Sequence, residues 1–254
     1  MSRNATKDLT TGSPMKLILG FGIPLLFGML FQQFYNMMDT IIVGKFLGVS
    51  ALASVGATGS INFMIIGFCM GVCNGFAIPV AQRFGAKDEH GMRKFVANSV
   101  WLSIIFAVVM AVLVCVFCRQ ILELMNTPED IIDGSYSYIF VIFLGIPATY
   151  MYNLLSGIMR SLGDSKTPLY LLIFSSILNI ILDLLSIIVL KMGVAGAAWA
   201  TVIAQAVSGF CCLGVIWKKF PILHVQREEW QPDKLCILNL CNMGIPMGLQ
   251  YSIT

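Results

Sequence analysis

The sequence predicts an all-α membrane protein with six transmembrane helices and the start of a seventh. Three observations predict it: a composition too apolar for water, six long hydrophobic runs, and basic residues that alternate from loop to loop. Of 254 residues, 57% are hydrophobic and 11% charged, against the roughly 25% charged usual for a soluble domain. Leu, Ile, Val, Phe, Met and Gly dominate, and several runs are long enough to cross a hydrocarbon core about 30 Å thick. The net charge of +3 comes with no basic, aromatic-interleaved patch, so no nucleic-acid partner is expected.

A polar leader, 1–15, precedes the first run. It ends beside Lys16 without a small-residue cleavage site, so the run after it is a retained helix and not a removable signal peptide. Apolar stretches bounded by charges or Gly/Pro turn signals lie at 16–44, 51–82, 94–118, 134–159, 168–190 and 194–217, each long enough for one span. Residues 16–217 therefore form a six-helix transmembrane lobe, 218–234 a polar linker, and 235–254 the start of helix seven. Pro24 and Pro147 fall inside spans, where neighbouring helices can satisfy the freed carbonyls, and each is expected to kink its helix. Gly67 to Gly75 and Gly193 to Gly196 read as close helix packing. The eight cysteines lie in or beside apolar segments as small hydrophobes, and Cys115-x-x-Cys118 has no second pair or nearby His to complete a zinc site. His90 and His224 fall in charged inter-helix segments and are expected to be solvated loop residues.

Orientation follows from the basic residues, because Lys- and Arg-rich loops stay cytoplasmic. The leader and the loops after spans two, four and six hold thirteen of them, whereas the alternate loops hold Lys45, Arg119 and Lys191. This places the N-terminus and the even-numbered loops in the cytoplasm of a multi-pass plasma-membrane protein. Met243-Gly244-Ile245-Pro246 repeats Phe21-Gly22-Ile23-Pro24 at an offset of 222 residues. An intact protein is then expected to have two six-helix lobes, with a substrate site between repeats, and this chain to be its N-terminal half, lacking the C-terminal lobe.

Thirteen acidic residues are present, and Asp39 and Asp183 alone lie within spans. A carboxylate in a bilayer costs several kcal/mol unless paired, protonated or hydrated, so both are functional candidates. Counting back from Lys45 and Lys191, both lie roughly 9–12 Å below the outer boundary, in one layer. Asn179 precedes Asp183 by one helical turn and shares its face, and Thr201 enters the same layer. These oxygens suit a hard monovalent cation, and two neighbouring carboxylates can also share a proton near neutral pH. Sodium and proton both remain open. Gln32, Tyr35 and Asn36 make one face of helix one polar enough to line a cavity, which Tyr138 and Asn153 extend, and no basic residue is expected beside the cavity acids. No HExxH, GxSxG or Ser/His pairing lies in the spans, so the chain is not expected to be an enzyme or to need a cofactor beyond a coupling ion.

Several stretches together resemble the multidrug and toxic compound extrusion (MATE) family, DinF-like branch, over nearly the whole chain. They are Gly22-Ile23-Pro24 with Gln32, Tyr35, Asn36, Asp39 and Val43-Gly44; Ala51 to Gly56; Gln82 to Lys87; Arg160-Ser161-Leu162-Gly163-Asp164; Asn179 with Asp183; and Gly193 to Ala198. The resemblance implies a twelve-helix, two-lobed antiporter that exchanges sodium or protons for cationic or amphipathic drugs by alternating access. It implies that Asp39, Asn179, Asp183 and Thr201 form the cation site, and that Gln32, Tyr138 and Asn153 line the drug cavity. Two alternatives stand beside it. One is a flippase for lipid-linked oligosaccharide, which would need more cationic residues in its cavity to meet pyrophosphate; the other is an inactive truncated fragment.

Overall fold

A backbone inside lipid has no water to bond, so each crossing must satisfy its own N–H and C=O groups, and the helix does this. The computed structural model describes residues 12–253 and is helical throughout, with no strand among them. The first eleven leader residues, including Arg3 and Lys7, and the terminal Thr254 lie outside the described residues.

Six crossings correspond to the six apolar runs, four of them single helices and two divided. Helix α1 spans Pro14–Leu47; α2 (Val49–Ala57) and α3 (Gly59–Gly85) follow, then α4 (Glu89–Val116) and a short α5 (Cys118–Leu124). Next come α6 (Ile132–Leu144), α7 (Ile146–Ser161), α8 (Lys166–Leu184) continued by a π-helical turn at Leu185–Val189, α9 (Gly193–Lys219) and α10 (Lys234–Ile253). The chain is an integral membrane protein by these helices.

The expected second run divides at Thr58, which leaves a nine-residue helix ahead of the long α3. The fourth run bends by 47° between α6 and α7. Pro147, expected to kink this span, stands in the first turn of α7 just after the bend, where its missing N–H costs nothing. The break itself is at Gly145, whose Cβ position is taken by the Val202 side chain of α9. Pro24 does lie inside α1.

The loops that carry most of the basic residues are built as helix stops and starts. Gly163 adopts φ 84° after α7, a backbone only glycine enters at no cost. Asp164 then accepts from the backbone N–H groups of Lys166 (3.1 Å) and Thr167 (3.0 Å), capping α8. Asp88 does the same for α4, accepting from the Gly91 N–H at 2.9 Å and from Arg83 at 2.9 Å. Those donors, the Gly91 N–H first, hold its carboxyl below the usual aspartate value.

Small residues bring helices close, as expected for membranes. Added methyl groups would collide with α10 at three successive turns of α3: Gly67 with the Tyr251 carbonyl (2.7 Å), Gly71 with the Met247 carbonyl, and Gly75 with the Gly244 Cα (2.5 Å). The second glycine stretch divides, since a methyl group added at Gly196 would lie 3.0 Å from the Ser186 and Met192 Cβ atoms while Gly193 has open space and φ 62°.

Both histidines are engaged. His90 stands in the first turn of α4 with Nδ1 2.9 Å from Glu229 Oε1, and His224 Nε2 lies 3.1 Å from the Trp217 carbonyl. Both side chains are exposed, as expected; His224 lies in a loop, whereas His90 belongs to a helix start, and the linker folds back onto the helix ends to meet both.

Candidate functional site

Helix α1 buries only four residues, Tyr35, Asp39, Ile42 and Val43, all in the half away from the basic loops. Tyr35 and Asp39 are one turn apart and share a face. On α8, Asn179 and Asp183 repeat that spacing and are fully buried. The two helices pack together and bring the carboxyls of Asp39 and Asp183 near enough for each to feel the other's charge, with no hydrogen bond between them among the described residues. The layer predicted from residue counting is therefore one cluster.

Its hydrogen bonds leave much unsatisfied. Asn179 Nδ2 donates to Thr201 Oγ1 on α9 at 3.3 Å, and the Tyr138 hydroxyl on α6 donates to Asp39 Oδ2 at 3.5 Å. The Tyr35 hydroxyl neighbours Thr201 and both acids. Among the described residues, Asp39 Oδ1, both Asp183 carboxylate oxygens, Asn179 Oδ1 and the Tyr35 hydroxyl have no hydrogen-bond partner. Buried polar atoms are nearly always paired. Five orphan oxygens in one layer are a donor set that a small hard cation or a shared proton fits.

Directly after Asp183 the α8 ladder widens into the π turn at Leu185–Val189. Such turns often mark functional positions. Here the turn lets Ser186 pack on Gly196 at the start of α9, which holds α9, and Thr201 with it, against the acid-bearing helix.

A cavity of about 1100 Å³ opens beside this cluster. Gln32, Tyr35, Asn36, Asp39, Tyr138, Asn153 and Thr201 line it. Asn179 and Asp183 do not; they stand behind the wall. Asp39 thus belongs to both the cavity and the buried layer. Asn36 Nδ2 donates to Gln33 Oε1 at 3.5 Å, and Asn153 Nδ2 to the Thr149 carbonyl at 2.8 Å, so amide groups along the wall are oriented by local bonds.

The MatE family profile matches residues 24–185, from the Pro24 turn of α1 through Asp183. The chain belongs to the MatE family. It is 33% identical over 239 residues to the probable multidrug resistance protein YoeA of Bacillus subtilis, covering 90% of this chain and 51% of that protein. It is 29% identical over 248 residues to YpnP of the same organism, also described as a probable multidrug resistance protein, with 97% and 55% covered. An outward-facing multidrug resistance MATE family transporter superposes with a TM-score of 0.88 at 27% identity, over 97% of this chain and 55% of that one. The chain spans about half the length of the relatives it matches, and its fold is that of one MATE lobe.

This MatE cavity holds residues that reading the sequence missed. Asn74, Gln205 and Arg160 line it, and Gln205 Oε1 is buried without a partner among the described residues. Gln205 sits one turn beyond Thr201, a spacing that could have revealed it. Asn74 was hidden in the glycine-rich stretch read as packing. Arg160 was counted with a loop, and it lines the cavity as well, at the end away from Asp39. It belongs to the last turn of α7, and its Nη2 donates to Asn74 Oδ1 at 3.2 Å. An arginine side chain is long enough to reach back along the wall from a helix end.

Proposed function

We propose that this chain is the N-terminal lobe of a twelve-helix antiporter that exports cationic or amphipathic drugs in exchange for sodium or protons. The observation that carries this reading is the position of Asp39, which faces the cavity and also meets Asp183 in a layer of orphan oxygens. A coupling cation in that layer neutralises Asp39 and weakens the cavity's hold on a cationic drug. The drug in turn disfavours the cation, because coupling between two sites is reciprocal. Export follows when the two are released on opposite sides of the membrane.

Relatives described as multidrug resistance proteins support the drug as cargo. The excess of basic residues in the leader and even-numbered loops supports a cytoplasmic N-terminus in the plasma membrane. One guanidinium falls short of the several cationic groups a pyrophosphate-bearing lipid would call for, which disfavours the flippase alternative.

The test is accumulation of a fluorescent cationic drug in everted vesicles under separate sodium and proton gradients, with the chain alone and joined to a second six-helix lobe. Accumulation driven by one gradient, and uncoupled by Asp39→Asn or Asp183→Asn, is the expected result and names the ion. Unchanged accumulation in both variants sinks the mechanism. Activity only in the joined form identifies the single lobe as an inactive fragment.

A further inference from the structure

Among the described residues that line the cavity, two are charged, Asp39 and Arg160. They belong to opposite ends of it. Asp39 lies on the half of α1 away from the basic loops, whereas Arg160 is in the last turn of α7, next to the loop that leads to Lys166 at the start of α8.

Among the described residues Arg160 has no counter-ion: every ion pair within 4.0 Å there involves other side chains. The groups that act on its charge are the phenols Tyr152 and Tyr251 and the thiols Cys73 and Cys212, with no carboxylate. A guanidinium has five N–H donors in a planar fork, and among the described residues its one side-chain acceptor is Asn74 Oδ1 at 3.2 Å. Asn74 comes from α3 and fixes the plane of the fork from one side. An ionised group inside a membrane cavity is costly to leave without a partner of opposite sign. A planar fork oriented by an amide is the geometry that recognises a carboxylate.

We infer that Arg160, oriented by Asn74, is an anion subsite that receives the carboxylate of a zwitterionic amphiphile, whose cationic group is held elsewhere in the same cavity. The inference rests on the cavity being the substrate site and refines which substrates it takes. A purely cationic drug meets Asp39 alone and leaves Arg160 uncompensated, whereas a zwitterion satisfies both ends.

Equilibrium binding to the purified full chain in neutral detergent tests this without requiring transport. The probes are α-dansyl-lysine, which carries an ammonium and a carboxylate, and its methyl ester, which keeps the ammonium and loses the anion. Wild type is expected to bind the acid at least as tightly as the ester. Arg160→Gln is expected to weaken the acid about tenfold and leave the ester unchanged, as loss of one charged hydrogen-bond partner implies. Arg160→Lys should restore part of the acid affinity, because the charge returns without the fork.

Equal weakening of both probes in Arg160→Gln assigns Arg160 a structural role and overturns the inference, as does weakening of neither. Should Arg160→Gln fail to fold, the wild-type comparison decides alone, since a preference for the ester overturns the subsite. Ester binding that persists while acid discrimination is absent leaves the drug-export reading standing; binding of neither probe removes both.

Discussion

Replacing Tyr138 by Phe removes a single hydroxyl, the one that donates to Asp39 Oδ2 across 3.5 Å. A bond that long contributes at the low end of the range for charged partners, roughly 1.5 kcal/mol or less. Cation half-saturation in the vesicle assay should therefore shift by about tenfold at most, while drug accumulation at saturating cation stays near wild type. Loss of all transport would make Tyr138 more than a donor. Thr201→Ala leaves Asn179 Nδ2 without its 3.3 Å acceptor and should lower stability by about 1 kcal/mol, read as a fall in Tm in detergent. The cluster was legible in the sequence for one physical reason: an acid in an apolar run is so costly that it marks itself. Arg160 was not legible, because a basic residue at the end of such a run looks the same whether its head group points to solvent or back into the cavity.

At the level of helices, the six crossings were legible because each needs about twenty apolar residues. The interruptions were not. Thr58 divides α2 from α3 without a proline, and the π turn after Asp183 is made of Leu, Ser, Ile, Ile and Val, a composition that regular helix shares. The contact of α3 with α10 was partly legible, since the glycine spacing announced a close approach but not its partner. That contact supports a prediction. Gly71→Ala would drive a methyl group into the Met247 carbonyl, and Gly75→Ala would place one 2.5 Å from the Gly244 Cα. Backbone cannot yield as a side chain can, so each should destabilise by about 1–3 kcal/mol, seen as a lower Tm or as protease sensitivity of α10. Gly214→Ala on α9, where nothing lies within 4 Å, is the control and should leave Tm unchanged or slightly raised. Equal behaviour of the three variants would mean that α10 does not depend on close packing against α3.

On the scale of the whole molecule, the linker decides where α10 begins, and it is fastened to α4. Glu229 is buried, accepting from Arg93 Nε at 2.9 Å at both oxygens and from the Gln226 N–H at 2.8 Å, with His90 Nδ1 2.9 Å away. Asp233 accepts from Lys94 Nζ at 2.7 Å, and its own N–H donates to Asn98 Oδ1 at 3.0 Å. Trp101 Nε1 adds a bond to the Trp230 carbonyl at 3.1 Å. Burial works against ionising Glu229, but the Gln226 N–H, Arg93 and His90 outweigh it and hold its carboxyl below the ordinary 4.5. Lys94 and the Leu235 and Cys236 N–H groups likewise hold Asp233 below 3.8. Because both values are depressed by folding, the attachment they provide is complete above the unfolded values and is lost as pH falls through the folded ones. Amide exchange across residues 224–233, corrected for its intrinsic pH dependence, should then be slow and constant from about pH 8 down to about 5 and quicken below 4.5. Glu229→Gln should release the segment at neutral pH, because Arg93 loses its buried counter-charge and keeps only the exposed Glu89 at 3.6 Å while the site stays buried, and trypsin should then cut after Arg227 much faster than in wild type. Equal cleavage of the two proteins would show that the linker is held by Trp230 packing and the Asp233 cap, and that the buried carboxylate is dispensable.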